Sequence, residues 1–433
     1  MEPVLAQTKK SVLRSPFVIQ LLLIMFGVEF VKGALLISVL PVYMESALGL
    51  SAYVIGWALA CQYIGDNVLR SPLGFIIDRI GYRLVMLTGV LLTLLSVIIM
   101  AVSDQAGWLM LACALLGLGT SPLWPCVITG ATAVSGYEAS GIIMSVVYMA
   151  WLTGVGCGPI VINFFIIQSF TPAFILLLAF MAVVLFVALF LPGRSRKTAS
   201  EEGTAQAPGT QVNKAVQEAS AAAEGDKQSH RGVLRLFAAY LDRVRRTVKA
   251  SRLLYPAMFA QTFALGLLIP VLTLFARNVL LLSPQEYSLY LTAGGAVTVL
   301  GLIPVGKWVD RVGTARFLHA GFLVTAISLP LLGFVRDAKL ALIVIAVIGL
   351  GYACIIPAWN ALIAYAIPKE ERGAVWGFFL TIEGAGTVLG SILSGKMWDY
   401  LGPHAPFMIS GIVLFILFVL HLFISHRRPV MVR

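Results

Sequence analysis

The sequence predicts an all-α membrane protein of twelve transmembrane helices arranged as two pseudo-symmetric six-helix bundles. Three observations lead there. The first is composition: of 433 residues, 59% are hydrophobic and only 12% charged, with a mean hydropathy of +0.92. Too little polar surface remains for a water-soluble globule of that size. The second is the number of apolar stretches that reach the roughly 20 residues needed to cross a bilayer; there are twelve, six on either side of a polar central segment. The third is an internal repeat. Pro72-Leu-Gly74-Phe-Ile-Ile-Asp78-Arg79-Ile-Gly81 returns 232 residues later as Pro304-Val-Gly306-Lys-Trp-Val-Asp310-Arg311-Val-Gly313. At the same offset Gly89 meets Gly321, Gly117 meets Gly349, Pro125 meets Pro357, Gly154 meets Gly386 and Gly158 meets Gly390. One duplication accounts for these matches and for the six-plus-six count.

The first span, 17–44, follows Lys9, Lys10 and Arg14, the flank of a secretory signal. It continues through Glu29 and Lys32 to Tyr43 without a small-residue cleavage site, so a retained helix is expected. Spans at 52–77, 83–102, 106–134, 139–168 and 172–191 complete the first half. Asp66 and Arg70 lie in the second of the six, Trp124 in the fourth, and Trp151 with Gly154-x3-Gly158-Pro159 in the fifth.

Residues 193–232 are rich in Ala, Gly, Ser, Gln and Glu without apolar periodicity, as in a flexible linker. Beyond it, Leu234, Phe237, Leu241, Val244 and Val248 recur at helical spacing opposite Arg235, Arg243, Arg245, Arg246 and Lys249. That pattern fits an interfacial helix on an anionic leaflet, or equally a solvated connector. The second half repeats the first with spans at 253–280, 285–309, 315–334, 338–367, 370–397 and 403–425, with Glu383 in the eleventh. The expected organisation is therefore a bundle over 1–192, a linker over 193–252 and a bundle over 253–433.

Lys and Arg residues concentrate on one set of loop ends, among them Arg79, Arg83, Arg194, Lys197, Arg311, Arg316, Lys369, Arg372, Arg427 and Arg428, against Arg277, Arg336, Lys339 and Lys396 on the other. The positive-inside rule then puts both termini in the cytoplasm of a multi-pass plasma-membrane protein. The net charge of +11 follows from this bias, so no nucleic-acid partner is expected. Cys61, Cys113, Cys126, Cys157 and Cys354 stand singly in apolar helices, without metal or disulfide spacing. With no metal-ligand cluster, no nucleophile beside a base and no phosphate-binding P-loop, neither an enzyme nor a cofactor is expected.

Gly74-x3-Asp78-Arg79-x-Gly81-x-Arg83, repeated as Gly306-x3-Asp310-Arg311-x-Gly313-x2-Arg316, resembles the signature loop of the major facilitator superfamily, and the resemblance covers nearly the whole chain. It implies a conformational gate. Glycines would allow close backbone approach in a tight turn, and Asp and Arg would exchange partners as the halves rock. Arg79 and Arg83 also serve topology, but the duplicated acid is not explained by topology. Gly154, Gly158 and Pro159 partly match a motif of the superfamily's proton antiporters, with Ser145 and Ile162-Asn163 departing from it. Close helix packing through small residues is the alternative for that fragment.

Polar side chains inside a membrane mark a pathway or a partner. Glu29, Asp66, Trp124, Trp151 and Glu383 all fall near the bilayer midplane, where such transporters place their substrate site. The plainer alternatives are self-pairing of Glu29 with Lys32 and of Asp66 with Arg70, and ordinary packing of the tryptophans. At the 232-residue offset Glu29 becomes Gln261, Asp66 becomes Thr298, Trp124 becomes Ile356 and Trp151 becomes Glu383. One wall is then charged and aromatic and the other mostly apolar, which suits an amphipath with a hydroxylated headgroup.

An acid and a base three apart on the first helix, an acid on the second and tryptophans on the fourth and fifth are similar to the pocket of LtaA-type glycolipid flippases, with Lys32 in place of an arginine. The resemblance implies substrate binding by Glu29, Lys32, Asp66, Arg70, Trp124 and Trp151. Proton coupling would fall to Asp66 and Glu29 by resemblance and to Glu383 on physical grounds, since desolvation favours the neutral acid and a nearby cation the ionised one. The expected function is alternating-access, proton-coupled transport of a small amphipathic or lipid substrate by a monomer. The alternatives are a proton-driven antiporter of lipophilic cations and a non-transporting receptor or scaffold.

Overall fold

The computed structural model describes residues 15–135, 140–166, 169–192, 254–366 and 372–427, without the side chains of 69–76, 78–79, 129, 132–135, 140–145, 364–366, 372–378 and 424–427. The linker, the basic amphipathic segment and the side chains of Arg70, Asp78 and Arg79 lie outside the described residues, as do the surroundings of Gly74.

Helices make up the described chain. In order they are α1 Pro16–Ala47, α2 Ala52–Ile80, α3 Tyr82–Val102, α4 Ala106–Thr120 continued by Leu123–Ser135, α5 Ser140–Ile162 and α6 Thr171–Leu189. The second set is α7 Leu254–Gly266 continued by Leu272–Leu274 and Phe275–Val279, then α8 Pro284–Val312, α9 Thr314–Phe334, α10 Ala338–Ala366, α11 Arg372–Leu401 and α12 Ala405–Arg427. Nine of these have the length and apolar composition to cross a membrane among the described residues; α2, α7 and α11 complete the twelve. Each predicted span is met by one helix.

Proline sets the irregularities. A proline has no amide hydrogen to give to the helix, and α1 passes into π-helical turns at Ala34–Val39 and Tyr43–Ala47 around Pro41. The break in α7 between Gly266 and Leu272 contains Pro270, and that in α4 between Thr120 and Leu123 contains Pro122.

The repeat is geometric as well as textual. Helices α2 and α8 each span 29 residues and start and stop 232 positions apart. Ser51 and Ser283 cap their first turns, accepting from the amides of Val54 and Glu286. Gly81 and Gly313 both end them at φ +94°, a conformation open to glycine and costly for other residues. No atom lies close to Gly306, so the close approach expected of that motif glycine is not made in this conformation.

Buried apolar side chains form two clusters, one centred on each bundle, with Leu274 of α7 joining the first. The bundles meet at the face away from the termini, here called the distal face. There Asn278 donates to both Glu45 carboxylate oxygens at 2.7 and 2.9 Å, Ser288 to Ile160 O at 2.9 Å, Gln285 to Asn163 O at 3.4 Å, and Thr273 to Ile37 O. The two seams differ. Along α2/α11 the backbones touch through Gly56 at Ser391 and Gly395 at Ala52, and Gly384 lies against the Asn67 side chain. Along α5/α8 contact gathers at the distal end, and no α8 residue from Leu291 to Pro304 is buried.

Candidate functional site

The turn of α1 that carries Glu29 is pressed onto α5 by two glycines. A methyl group on Gly154 would strike Phe26 O and the Glu29 Cβ, and one on Gly158 would strike Phe30 O. In the second half Gly386 and Gly390 of α11 meet Phe259 O and Phe263 O of α7 in the same way. The partial antiporter fragment thus acts here as a close-packing device, while Pro159 O accepts a 3.3 Å hydrogen bond from Ser38 of α1. Gly117 of α4 likewise rests on the α2 backbone at Gln62 and Asp66. Small residues on α4 and α5 fix where the acids of α1 and α2 stand.

Those acids share one cation. The Lys32 ammonium lies 3.9 Å from a Glu29 oxygen and 3.6 Å from an Asp66 oxygen. Glu29 is 1% exposed and Asp66 5%. The i,i+3 pair of Glu29 with Lys32 is therefore present, and Lys32 extends it across to Asp66 on α2; the pairing of Asp66 with Arg70 lies outside the described residues. An ammonium between two carboxylates offers a ligand both donors and acceptors at one place. Tyr63 lies within electrostatic range of both acids.

The tryptophans come together as well. Trp124 and Trp151 have ring centroids 5.8 Å apart, and Tyr148 joins them at 5.0 and 6.3 Å. Their offset and edge-on geometries leave ring faces available for stacking against a sugar or a cation. Tyr148 also lies within electrostatic range of Glu383 on α11, so the aromatic group looks across toward the second bundle. Glu29 follows Pro16 by 13 residues, Asp66 precedes Ile80 by 14, Trp124 precedes Ser135 by 11, and Trp151 and Glu383 follow Ser140 and Arg372 by 11 each. At a rise of about 1.5 Å per residue these depths agree, at roughly 16 to 21 Å.

The opposite wall is quieter. Thr298, the repeat mate of Asp66, donates to Gly294 O at 2.9 Å and to Gly349 O at 3.1 Å, and Gln261 is buried. Three residues beside the acids were not singled out from the sequence. Besides Tyr148 and Tyr63, Gln62 is fully buried one turn from Asp66, with neither amide atom bonded to protein. Tyr148 carried a signal, since it lies three residues from Trp151 on one helix face. A groove of about 610 Å³ lined by Tyr43, Ser46, Phe170 and Phe174 lies at the distal end, away from these residues.

Of the gate residues, Arg83 donates to Leu189 O at 3.2 Å and its neighbour Tyr82 to Pro192 O at 3.0 Å, which ties α3 to the end of α6. Asp310, Arg311 and Arg316 are exposed. Among the described residues no His/Cys/Asp/Glu group has the makings of a metal site.

Comparison with known proteins agrees with this architecture. The chain is 23% identical over 406 residues to the "Proton-coupled antiporter flippase LtaA" of Staphylococcus saprophyticus, covering 93% of this chain and 92% of the relative. It is 22% identical over 417 residues to the protein of the same description from Staphylococcus aureus strain N315, covering 94% and 95%. Among solved structures, the nucleoside transporter NupG superposes with a TM-score of 0.70 at 14% identity, over 94% of this chain and 98% of that one. A POT family transporter in complex with a thioalcohol conjugated peptide superposes with a TM-score of 0.69 at 17% identity, over 95% and 96%. The sequence profile of the Major Facilitator Superfamily matches residues 21–247 and 254–432. The chain belongs to the Major Facilitator Superfamily and is a multi-pass membrane transporter.

Proposed function

We propose that this protein is a proton-coupled antiporter that flips a lipid with a sugar-bearing or similarly hydroxylated headgroup. The observation that carries the reading is Lys32 held between Glu29 and Asp66 at mid-helix depth. Sugar hydroxyls can donate to the two carboxylates and accept from the ammonium, and the Trp124, Tyr148 and Trp151 rings offer apolar faces beside them. A proton on either carboxylate removes one of those acceptors. Cargo and proton therefore compete for the same oxygens, which is the mutual exclusion that antiport requires.

The lipid part of the proposal draws on the α5/α8 seam. Because α8 has no buried residue from Leu291 to Pro304, acyl chains can remain in the bilayer while the headgroup sits between the bundles. The relatives described as flippases add weight to this choice of cargo. With the termini placed in the cytoplasm by the positive-inside rule, the closed distal face is the outer one, and the headgroup enters from the inner leaflet.

A lipophilic cation is the second reading, favoured by a cluster of three aromatic rings, one of which, Tyr148, lies within electrostatic range of Glu383. Proteoliposomes separate the two. The proposal expects a fluorescent glycolipid to flip in response to a pH gradient and an unlabelled glycolipid to compete. Efflux of a dye cation without glycolipid flipping would replace the first reading with the second.

A further inference from the structure

Asp399 stands in the last turn of α11, two residues before Leu401, and reaches across the seam to the first turn of α2. One carboxylate oxygen accepts from the Ala52 amide at 3.1 Å and the other from the Tyr53 amide at 2.9 Å. Amides in a helix's first turn have no partner within the helix and form its positive end. An ionised acid from the opposite bundle supplies what they lack. Ser51 takes the Val54 amide, so first-turn donors of α2 are shared between a local cap and a distant one. Gly395 against Ala52 and Gly56 against Ser391 let the two backbones come close enough for this contact.

A second polar bond lies between α1 and α7, where Asn278 donates to both oxygens of Glu45. Neither contact is a relic of the duplication. Ile167 stands at the repeat position of Asp399 and Arg277 at that of Glu45, so these bonds serve the junction between the halves rather than either fold. Both bonds join surfaces that must separate whenever the distal face opens.

We infer that Asp399 on the α2 amino terminus, seconded by Glu45 and Asn278, is the releasable lock of the distal face. The inference rests on the alternating-access reading but not on the identity of the cargo. The carboxylate holds α2 through charge-assisted hydrogen bonds, each stronger than a neutral one. The lock sets the ratio of distal-closed to distal-open protein, and its loss favours the open form.

The test measures distances by electron–electron resonance in nanodiscs, with spin labels at Gly107→Cys and Lys339→Cys in a background without native cysteines. Both positions are exposed at the distal face and are mates in the repeat, and nothing lies near Gly107. The full chain should show a short and a long distance. Asp399→Asn should raise the long-to-short ratio roughly tenfold, as expected for losing a charge-assisted pair, and Asp399→Glu should recover part of the short population. Asn278→Ala, which leaves Asp399 in place, should raise the ratio about two- to threefold. Two distances with an unchanged ratio in both Asp399→Asn and Asn278→Ala would overturn the lock while sparing alternating access. A single distance between pH 5 and 8 in the unsubstituted chain would remove alternating access and the lock with it.

Discussion

Lys32 lies closer to Asp66 on the neighbouring helix, at 3.6 Å, than to Glu29 on its own, at 3.9 Å. The cation thus serves a pair across helices as well as the i,i+3 pair along α1. It joins two helices through two acids, both almost fully buried.

Removing that charge should be severe. In a Lys32→Ala protein the ammonium that bridges the two acids is gone, and burial then favours the neutral form of a carboxyl there more strongly. Glycolipid flipping should fall at least about tenfold, and its pH dependence should flatten because the site is already protonated. Lys32→Arg keeps the charge and adds a planar fork, so flipping should stay within roughly twofold of the unsubstituted rate. Initial rates of both variants across pH 5 to 8 check this.

The aromatic group should act on affinity more than on turnover. Aromatic contacts of this kind contribute about 0.5 to 1.5 kcal/mol beyond area, so Trp124→Ala or Tyr148→Ala should raise KM for the glycolipid roughly two- to tenfold. Phe at either position should restore most of the loss. If Tyr148→Ala leaves KM unchanged while Trp124→Ala raises it, Tyr148 is packing for the indoles and not part of the binding face.

The two related loops make a prediction about stability. Ala at Gly81 or Gly313 must adopt φ +94°, at a cost of about 1–2 kcal/mol. Each variant should unfold a few degrees lower, and the two by similar amounts, since the local geometry is the same. Gly107→Ala, in open space within a helix, should be neutral or slightly stabilising and serves as the control in thermal unfolding of purified protein.

The acids can be ranked. Glu383→Gln should retain at least half of the stimulation by a pH gradient, because Glu383 lies on α11 beside Tyr148, whereas Lys32 pairs with Asp66. Asp66→Asn should lose nearly all of it. The reverse ranking in a flipping assay with an imposed gradient would move the proton site to the second bundle.

Much of this was legible in the sequence because membrane burial makes a few signals strong. Within each half the spans are separated by short polar loops, and the 232-residue offset locates cap for cap, from Ser51 and Ser283 to Gly81 and Gly313. The depth agreement of Glu29, Asp66, Trp124 and Trp151 was also available from counting. Which charges pair was not. Spacing along one helix favours Glu29 with Lys32, and the contact of Lys32 with Asp66 depends on how Gly117 and Gly154 set the distances between α1, α2, α4 and α5. Gln62 was missed because a lone glutamine has no period, and Asp399 because its partners are backbone amides, which no residue type announces. The Gly154-x3-Gly158 fragment could be read as antiporter motif or as packing, and the structure shows its packing role directly.

The most direct test of the shared-cation account is flipping of a fluorescent glycolipid in proteoliposomes under an inward proton gradient. The unsubstituted chain should flip several-fold faster with the gradient than without it. Glu29→Gln and Asp66→Asn should each abolish that stimulation while still binding the glycolipid. Gradient-stimulated flipping that survives in both variants would contradict the account.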